Sequence, residues 1–528
     1  MANQGTFKRK LNLVDMTFIG VGSIVGSGWL FASLLASQVA GPAAWISWVI
    51  GAVASYILGM VFAELGAALP RAGGLVRYPA YSHGPLTGYL VSFMAFVAYS
   101  CVAGLEAEGM RTYASAWWPA LGTQNPTVLG WFVQAATLVL FFLLNYWSVN
   151  IFGKSNTVIT LVKFVVPTLA IVVFLTQFKP ANFSLHGFAP FGLNGIEAAV
   201  STTGIIFAFQ GFQQPVLFAS EAKKPSRTVP LSILFSLLVT MVIYVLLQVS
   251  FVGALPASLL HHGWGGVKLD SPFANLATLL GLGWLASVIL TDAVLSPSGT
   301  ANIYLSATAR LIFGWSKNGT FFRVFTKLDS KTGVPRAALW FSLILAIFWT
   351  LPFPSWDKLV AVASSSGVLC FVMGPVAAAA LRRSAPHLER PFRLRGMSVV
   401  APIAFVIASL IVYWTGWQTD SWLIGSLLVM FILYCVFHKK APDVGVSFSE
   451  QIKTTGWLIL YSIAMIVLSY VGTFGGGKAI VPAPWDQVIV AVVSLVTYYW
   501  GVKSALRTPI LDTEPSEVPD ASVSPQVG

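Results

Sequence analysis

The chain has 528 residues, of which 56% are apolar, 13% aromatic and only 9% charged. A soluble chain of this length would form three or four domains and carry charge on about a quarter of its residues, so a soluble multidomain protein is excluded. The formal net charge of +12 does not point to nucleic acid, because basic loops are what hold a polytopic membrane protein in its orientation.

Apolar runs of about 20 residues, long enough to cross the bilayer, recur from one end to the other. Fourteen transmembrane helices are predicted, at 12–37, 43–69, 87–116, 128–149, 155–176, 196–220, 229–253, 281–310, 336–353, 358–381, 398–417, 420–438, 455–473 and 487–505. The first run lacks a small-residue cleavage site and reads as a retained helix. The basic residues test the count. Of the 31 Lys and Arg, only Arg111, Lys179, Lys268, Lys358 and Lys478 fall on the side opposite Lys8, Arg9 and Lys10, and only Lys163 falls within a span. A missed helix would scramble this asymmetry, so the Lys8 side, with both termini, is predicted to be cytoplasmic. Cys101, Cys370 and Cys435 sit in apolar segments, which argues against disulfides or a zinc site. His261 and His262 have no further ligands beside them, and no metal or other cofactor is expected.

The first span contains four glycines in nine residues, Gly20 to Gly28. Gly22 and Gly26 could mark close helix packing. Alternatively the helix unwinds there and bares backbone groups at mid-membrane depth. Span six matches it, with Gly211 and Pro215 interrupting the run and Gln210, Gln213 and Gln214 in apolar surroundings. A dinucleotide loop is untenable, since no strand precedes the glycines. Interrupted spans at corresponding places point to a transporter of two inverted five-helix repeats. Half-helix N-termini suit a carboxylate and unwound carbonyls suit an ammonium, so paired breaks suit an amino acid zwitterion. The predicted organisation is a cytoplasmic N-terminus (1–11), a ten-helix core (12–381, with repeats at 12–176 and 196–381), four additional helices (382–505) and a disordered cytoplasmic tail (506–528).

Three stretches make the chain resemble the amino acid–polyamine–organocation (APC) superfamily of transporters: 22–28 in span one; 63–74 with Tyr78 after span two; and 207–212 with 220–230 ending span six. In length and span count it is most similar to the aspartate/glutamate transporter group, typified by an aspartate–proton symporter. The resemblance implies the inverted-repeat, LeuT-type fold with discontinuous helices one and six. It implies that N–H groups around Val25, Gly26, Ser27 and Gly28 hold the substrate carboxylate, and that carbonyls near Ile24, Phe207, Ala208 and Gln210 hold the amine. Phe207 would be an outer gate.

Ionisable groups within spans mark function by default. Lys163 lies about 12 Å into span five at 1.5 Å per residue. It either snorkels to the interface or gains and loses a proton during transport; the resemblance places it where sodium-driven relatives bind their ion. Glu106 and Glu108 are two apart and face roughly opposite ways, so at most one faces the central site, and the other is free to pair with Arg111. Asp292 precedes the hydroxyls of Ser296, Ser298 and Thr300, which the implied fold brings toward Lys163. Asp292 reads equally as a structural partner or a coupling group. Glu64, Arg71, Arg77 and Glu221 read as inner-gate or helix-end salt bridges.

The function this predicts is secondary import of an amino acid by proton symport, with an acidic substrate such as aspartate or glutamate. An exchanger, a permease for neutral amino acids and a non-transporting sensor are the alternatives. An enzyme is not expected. The expected partners are the substrate, protons and the lipid bilayer; oligomeric state is unreadable.

Overall fold

A computed structural model describes residues 10–123, 125–147, 149–352, 355–440 and 445–513. Lys8, Arg9 and residues 514–528 of the predicted tail lie outside the described residues. The helices are α1 (Leu13–Ile24), α2 (Gly28–Ala40), α3 (Ala44–Ala68), α4 (Gly74–His83), α5 (Pro85–Ser100), α6 (Val102–Ala114) and α7 (Val128–Trp147). There follow α8 (Val149–Thr176), α9 (Gly192–Thr202), α10 (Ile205–Phe209), α11 (Gln214–Leu217), α12 (Pro225–Ala254), α13 (Pro272–Leu279) and α14 (Gly283–Lys317). The last are α15 (Arg336–Trp349), α16 (Trp356–Ser384), α17 (Met397–Thr415), α18 (Trp417–Phe437), α19 (Phe448–Val471) and α20 (Trp485–Ser504).

Each predicted span meets a helix or a run of broken helices. Nine helical stretches among the described residues are long and apolar enough to cross a membrane by length and composition. Asn12 and Asp15 explain where the first helix starts. The Asn12 side chain accepts from the Asp15 N–H at 3.0 Å and the Asp15 carboxylate accepts from the Asn12 N–H at 2.9 Å, a reciprocal cap. Just before it, the Lys10 and Leu11 N–H groups donate to the Glu221 carbonyl, at 2.9 and 3.0 Å. The start of α1 is thereby pinned to the exit of α11.

The structure differs from expectation in three places. Residues 74–83, which lie between two predicted spans, form α4 despite Gly74 and Pro79. All ten of its residues are buried, and tertiary packing overrides poor helix propensity. A short helix, α13, occupies an expected loop. Residues 506–513 are ordered where disorder was expected: Leu506 is buried and its N–H donates to the Ser82 carbonyl at 2.9 Å.

Of the residues predicted to pair, Glu64 and Glu221 form ion pairs, with partners from distant segments. Glu64 on α3 is gripped by Arg382, Nε to Oε1 at 2.7 Å and Nη2 to Oε2 at 2.5 Å, and by the Leu394 N–H at 2.7 Å. Arg310 on α14 donates to Glu221 at 2.7 Å and lies over the Phe218 ring. Arg77 reaches the Tyr81 hydroxyl at 2.8 Å. Glu64 is 2% exposed and also lies 3.6 Å from Arg390 Nε, so truncating it strands two guanidiniums. Glu64→Ala is expected to cost on the order of 3–5 kcal/mol, read as a lowered unfolding temperature in detergent. Asp329→Ala, at a pair whose Arg336 is 37% exposed, should shift it by a small fraction of that.

Helices α17, α19 and α20 pack on this assembly rather than beside it. Gln487 on α20 donates to Glu197 on α9 at 2.7 Å, and the Gly501 carbonyl meets His83 Nε2 at 2.9 Å.

Candidate functional site

Both glycine-rich segments are breaks. At Val25 the backbone leaves the helical region, φ −82° and ψ 88°. The Gly26 N–H turns back to the Ile24 carbonyl at 3.1 Å, and α2 restarts beyond Ser27. Twelve helical residues precede the break, about 18 Å of rise and roughly half a bilayer core. In the second break Gly204 separates α9 from α10, and an extended Gln210 and a turn at Gly211 separate α10 from α11. Gly211 has φ +125°, and a Cβ there would lie 2.8 Å from the Ile24 nitrogen. A Cβ on Gly28 would lie 3.0 Å from that of Ala208. The breaks therefore abut. Unwinding and close packing, alternatives in sequence, are both realised.

Two oppositely charged side chains from other helices meet the first break. Lys163 on α8 is fully buried. Its ammonium donates to the Gly22 carbonyl at 2.5 Å and to Thr300 Oγ1 at 2.8 Å, so it does not snorkel. The Thr300 hydroxyl itself reaches the Gly22 carbonyl at 2.9 Å and that of Val25 at 3.2 Å. Beside it Glu106 on α6, also fully buried, accepts the Ser27 N–H on Oε2 at 2.7 Å. Its Oε1 has no hydrogen-bond partner. A Cβ on Gly26 would stand 2.6 Å from that oxygen and 2.9 Å from Thr300 Oγ1. Only glycine lets the carboxylate come this close to the unwound backbone. Charges in such a site are worth far more than in water, and each needs its bonds to offset desolvation.

Other predicted residues are placed differently. Ser298, expected near Lys163, hydrogen-bonds the Leu295 carbonyl of its own helix. It is two residues from Thr300 and so points away; Thr300 stands in its place. Asp292 is 1% exposed with neither oxygen hydrogen-bonded; it acts on Lys163 through charge alone. Glu108 faces away from the break, its carboxylate unpartnered. No ion pair forms with Arg111, whose guanidinium takes the Gly122 carbonyl instead. Of the carbonyls expected to hold an amine, that of Ile24 accepts the Tyr244 hydroxyl at 2.9 Å and that of Phe207 accepts the Gln210 N–H at 2.8 Å. The Gln210 amide points to the carbonyls of Ala363 and Ser364 on α16.

An aromatic layer closes the break on one side. Phe207 meets Trp356 edge-on with centroids 6.2 Å apart, and Phe31 stacks on the same indole at 4.7 Å. The Trp356 Nε1–H donates to Ser27 Oγ at 2.7 Å. Beyond Phe31 and Trp356 lies a cavity of about 660 Å³, whose wall includes Lys268, Asp270, Asp357 and Lys358. Sequence reasoning missed Trp356, because the nineteen tryptophans read together as interface belts. Trp356→Leu removes both the lid area and the Ser27 bond. It is expected to raise the KM for substrate about tenfold, equivalent to one hydrogen bond, with expression unchanged; initial-rate uptake in vesicles measures it.

A family model described as amino acid permease matches residues 11–468. The chain belongs to that family. Among its relatives in Bacillus subtilis (strain 168), an aspartate–proton symporter is 46% identical over 97% of this chain and 99% of its own length. A glutamate/serine transporter is 39% identical over 95% of each, and a branched-chain amino acid permease is 27% identical over 83% of this chain. With its apolar helices, this permease is a multi-pass membrane protein, and its two breaks lie in the all-helical framework that the family membership requires.

Proposed function

We propose that this permease imports an acidic amino acid, aspartate or glutamate, across the plasma membrane by proton symport. The observation that carries the reading is the meeting of two broken helices at a buried Lys163 whose ammonium bridges Gly22 and Thr300. The names of the two relatives that align over nearly the whole chain support the substrate class.

In this reading the ten-helix core spans 12–381 as two inverted repeats, and four further helices follow within fourteen spans. Both termini are cytoplasmic. The N–H groups opening α2, at Ser27, Gly28 and Trp29, have no acceptor one turn back and receive the substrate α-carboxylate. Unwound carbonyls near Ile24, Ala208 and Gln210 receive the α-amine. Phe207, Phe31 and Trp356 form the outer gate, beneath a vestibule open to the exterior.

Lys163 couples the proton. Protonated, it ties the last turn of α1 to α14 through Gly22 and Thr300. Neutral, it has one proton fewer to donate and the tie weakens, which frees α1 to move relative to α14. A ligand or proton shifts such an equilibrium only through its different affinity for the two states. An exchanger is the second reading, favoured by the same two bonds, which a permanently charged lysine would also make.

Uptake of each of the twenty amino acids into proteoliposomes, at two external pH values and with empty lumens, tests the proposal. Uptake confined to aspartate and glutamate, faster at acid pH and acidifying the lumen, is expected. A need for internal substrate would favour exchange, and a response limited to cationic or aromatic amino acids would overturn the substrate.

A further inference from the structure

The Ser27 N–H is the first donor that a substrate carboxylate would meet at the start of α2, and in this structure it is taken. Glu106 Oε2 accepts it at 2.7 Å, while Oε1 stands unpartnered beside Gly26. The protein's own side chain thus holds the place of a substrate α-carboxylate. Two carboxylates cannot share one N–H in a buried site, because like charges at such range repel strongly in a low dielectric.

We propose that Glu106 is a built-in competitor of the substrate, and that its protonation admits substrate to Ser27. This deepens the symport reading and rests on it. A proton from the outer solution bonds to the Glu106 carboxylate, which then has less claim on the N–H and no charge to repel the incoming anion. The substrate carboxylate takes the Ser27 N–H. When the site faces inward, the Glu106 O–H bond breaks and the proton leaves to the cytoplasmic solution. The restored carboxylate reclaims the N–H and expels the substrate. One proton crosses with each amino acid at this position, in addition to the one that Lys163 couples.

The surrounding titratable groups are Lys163 on α8, Tyr244 on α12 and Tyr304 on α14, and Asp292 on α14 acts on Lys163. Lys163 is the one cation among them. It donates to Gly22 and Thr300, which leaves Ser27 to Glu106. Glu108 and Arg111, on the same helix, face α7 and the Leu121–Gly122 carbonyls, and Asp357 of α16 acts on Glu108.

The test is binding of L-aspartate to the full-length chain in nanodiscs at pH 5.5 and pH 8.0, for wild type, Glu106→Gln and Glu106→Asp. Glutamine imitates the protonated acid, and aspartate keeps the charge but withdraws it from Ser27 by one methylene. Wild type is expected to bind at least tenfold more tightly at pH 5.5, and E106Q with less than a threefold difference. E106D is expected to bind at pH 8.0 at least threefold more tightly than wild type, which keeps the test valid if E106Q fails to fold. A wild type without pH dependence, an E106Q as steep as wild type, or an E106D no tighter than wild type overturns the competition. Wild type that binds neither aspartate nor glutamate at either pH removes the symport reading itself, and the competition with it.

Discussion

Lys163→Met is expected to abolish proton-driven uptake while the protein still folds. The methionine side chain fills nearly the same space in a fully buried position, so the exchange opens no large cavity. What disappears is the bridge from α8 to the Gly22 carbonyl and Thr300. Hydrogen bonds from a charged donor contribute about 1.5–3 kcal/mol each, so losing the pair lowers driven uptake by about 100-fold or more. Lys163→Gln keeps a donor without a titratable charge. It should restore the α1–α14 tie but not a proton carried at position 163, so its residual uptake is expected to follow external pH less steeply than wild type, through Glu106 alone. Uptake by either variant that still follows the pH gradient at wild-type rate would remove Lys163 from coupling.

Gly211→Ala is expected to eliminate transport and to destabilise the protein as well. Two costs coincide there. The backbone at φ +125° belongs to a region that residues with a side chain occupy only at about 1–3 kcal/mol. The added methyl would also stand 2.8 Å from the Ile24 nitrogen, and backbone cannot swing aside as a flexible side chain does. Overpacking of this kind adds about 1–3 kcal/mol. Because the obstacle is the other break, relief requires α1 and the α10–α11 turn to separate, which spoils the arrangement of both. Loss of binding together with a lower unfolding temperature is the expected result; the same substitution at Gly425, where a Cβ meets open space, serves as the control and should retain transport.

Much of the fold was legible because bilayer physics writes itself in long apolar runs. The breaks were legible because few other demands put four glycines in nine residues of a span. The contacts made across the chain were less so. Lys163 could be suspected from its burial alone, yet nothing local announces that its bonds go to Gly22 and Thr300, 141 and 137 positions away. Ser298 and Thr300 differ by two residues, and a small error in helix phase exchanges them. Glu106 and Glu108 pose the same ambiguity. Glu106 faces the break because α6 packs on α14, a pairing that no sequence period encodes. The helix α4 was hidden for a related reason: it is short, carries Gly74 and Pro79, and forms where all ten of its residues are buried.

The abutting breaks are the feature on which the substrate reading depends. A structure of the protein determined with L-aspartate bound at acid pH tests it most directly. The account predicts the α-carboxylate at the opening N–H groups of α2, from Ser27 to Trp29, with Glu106 withdrawn and the α-amine toward the carbonyls of the α10–α11 turn. Ligand seated away from both breaks, with Ser27 still held by Glu106, would contradict it.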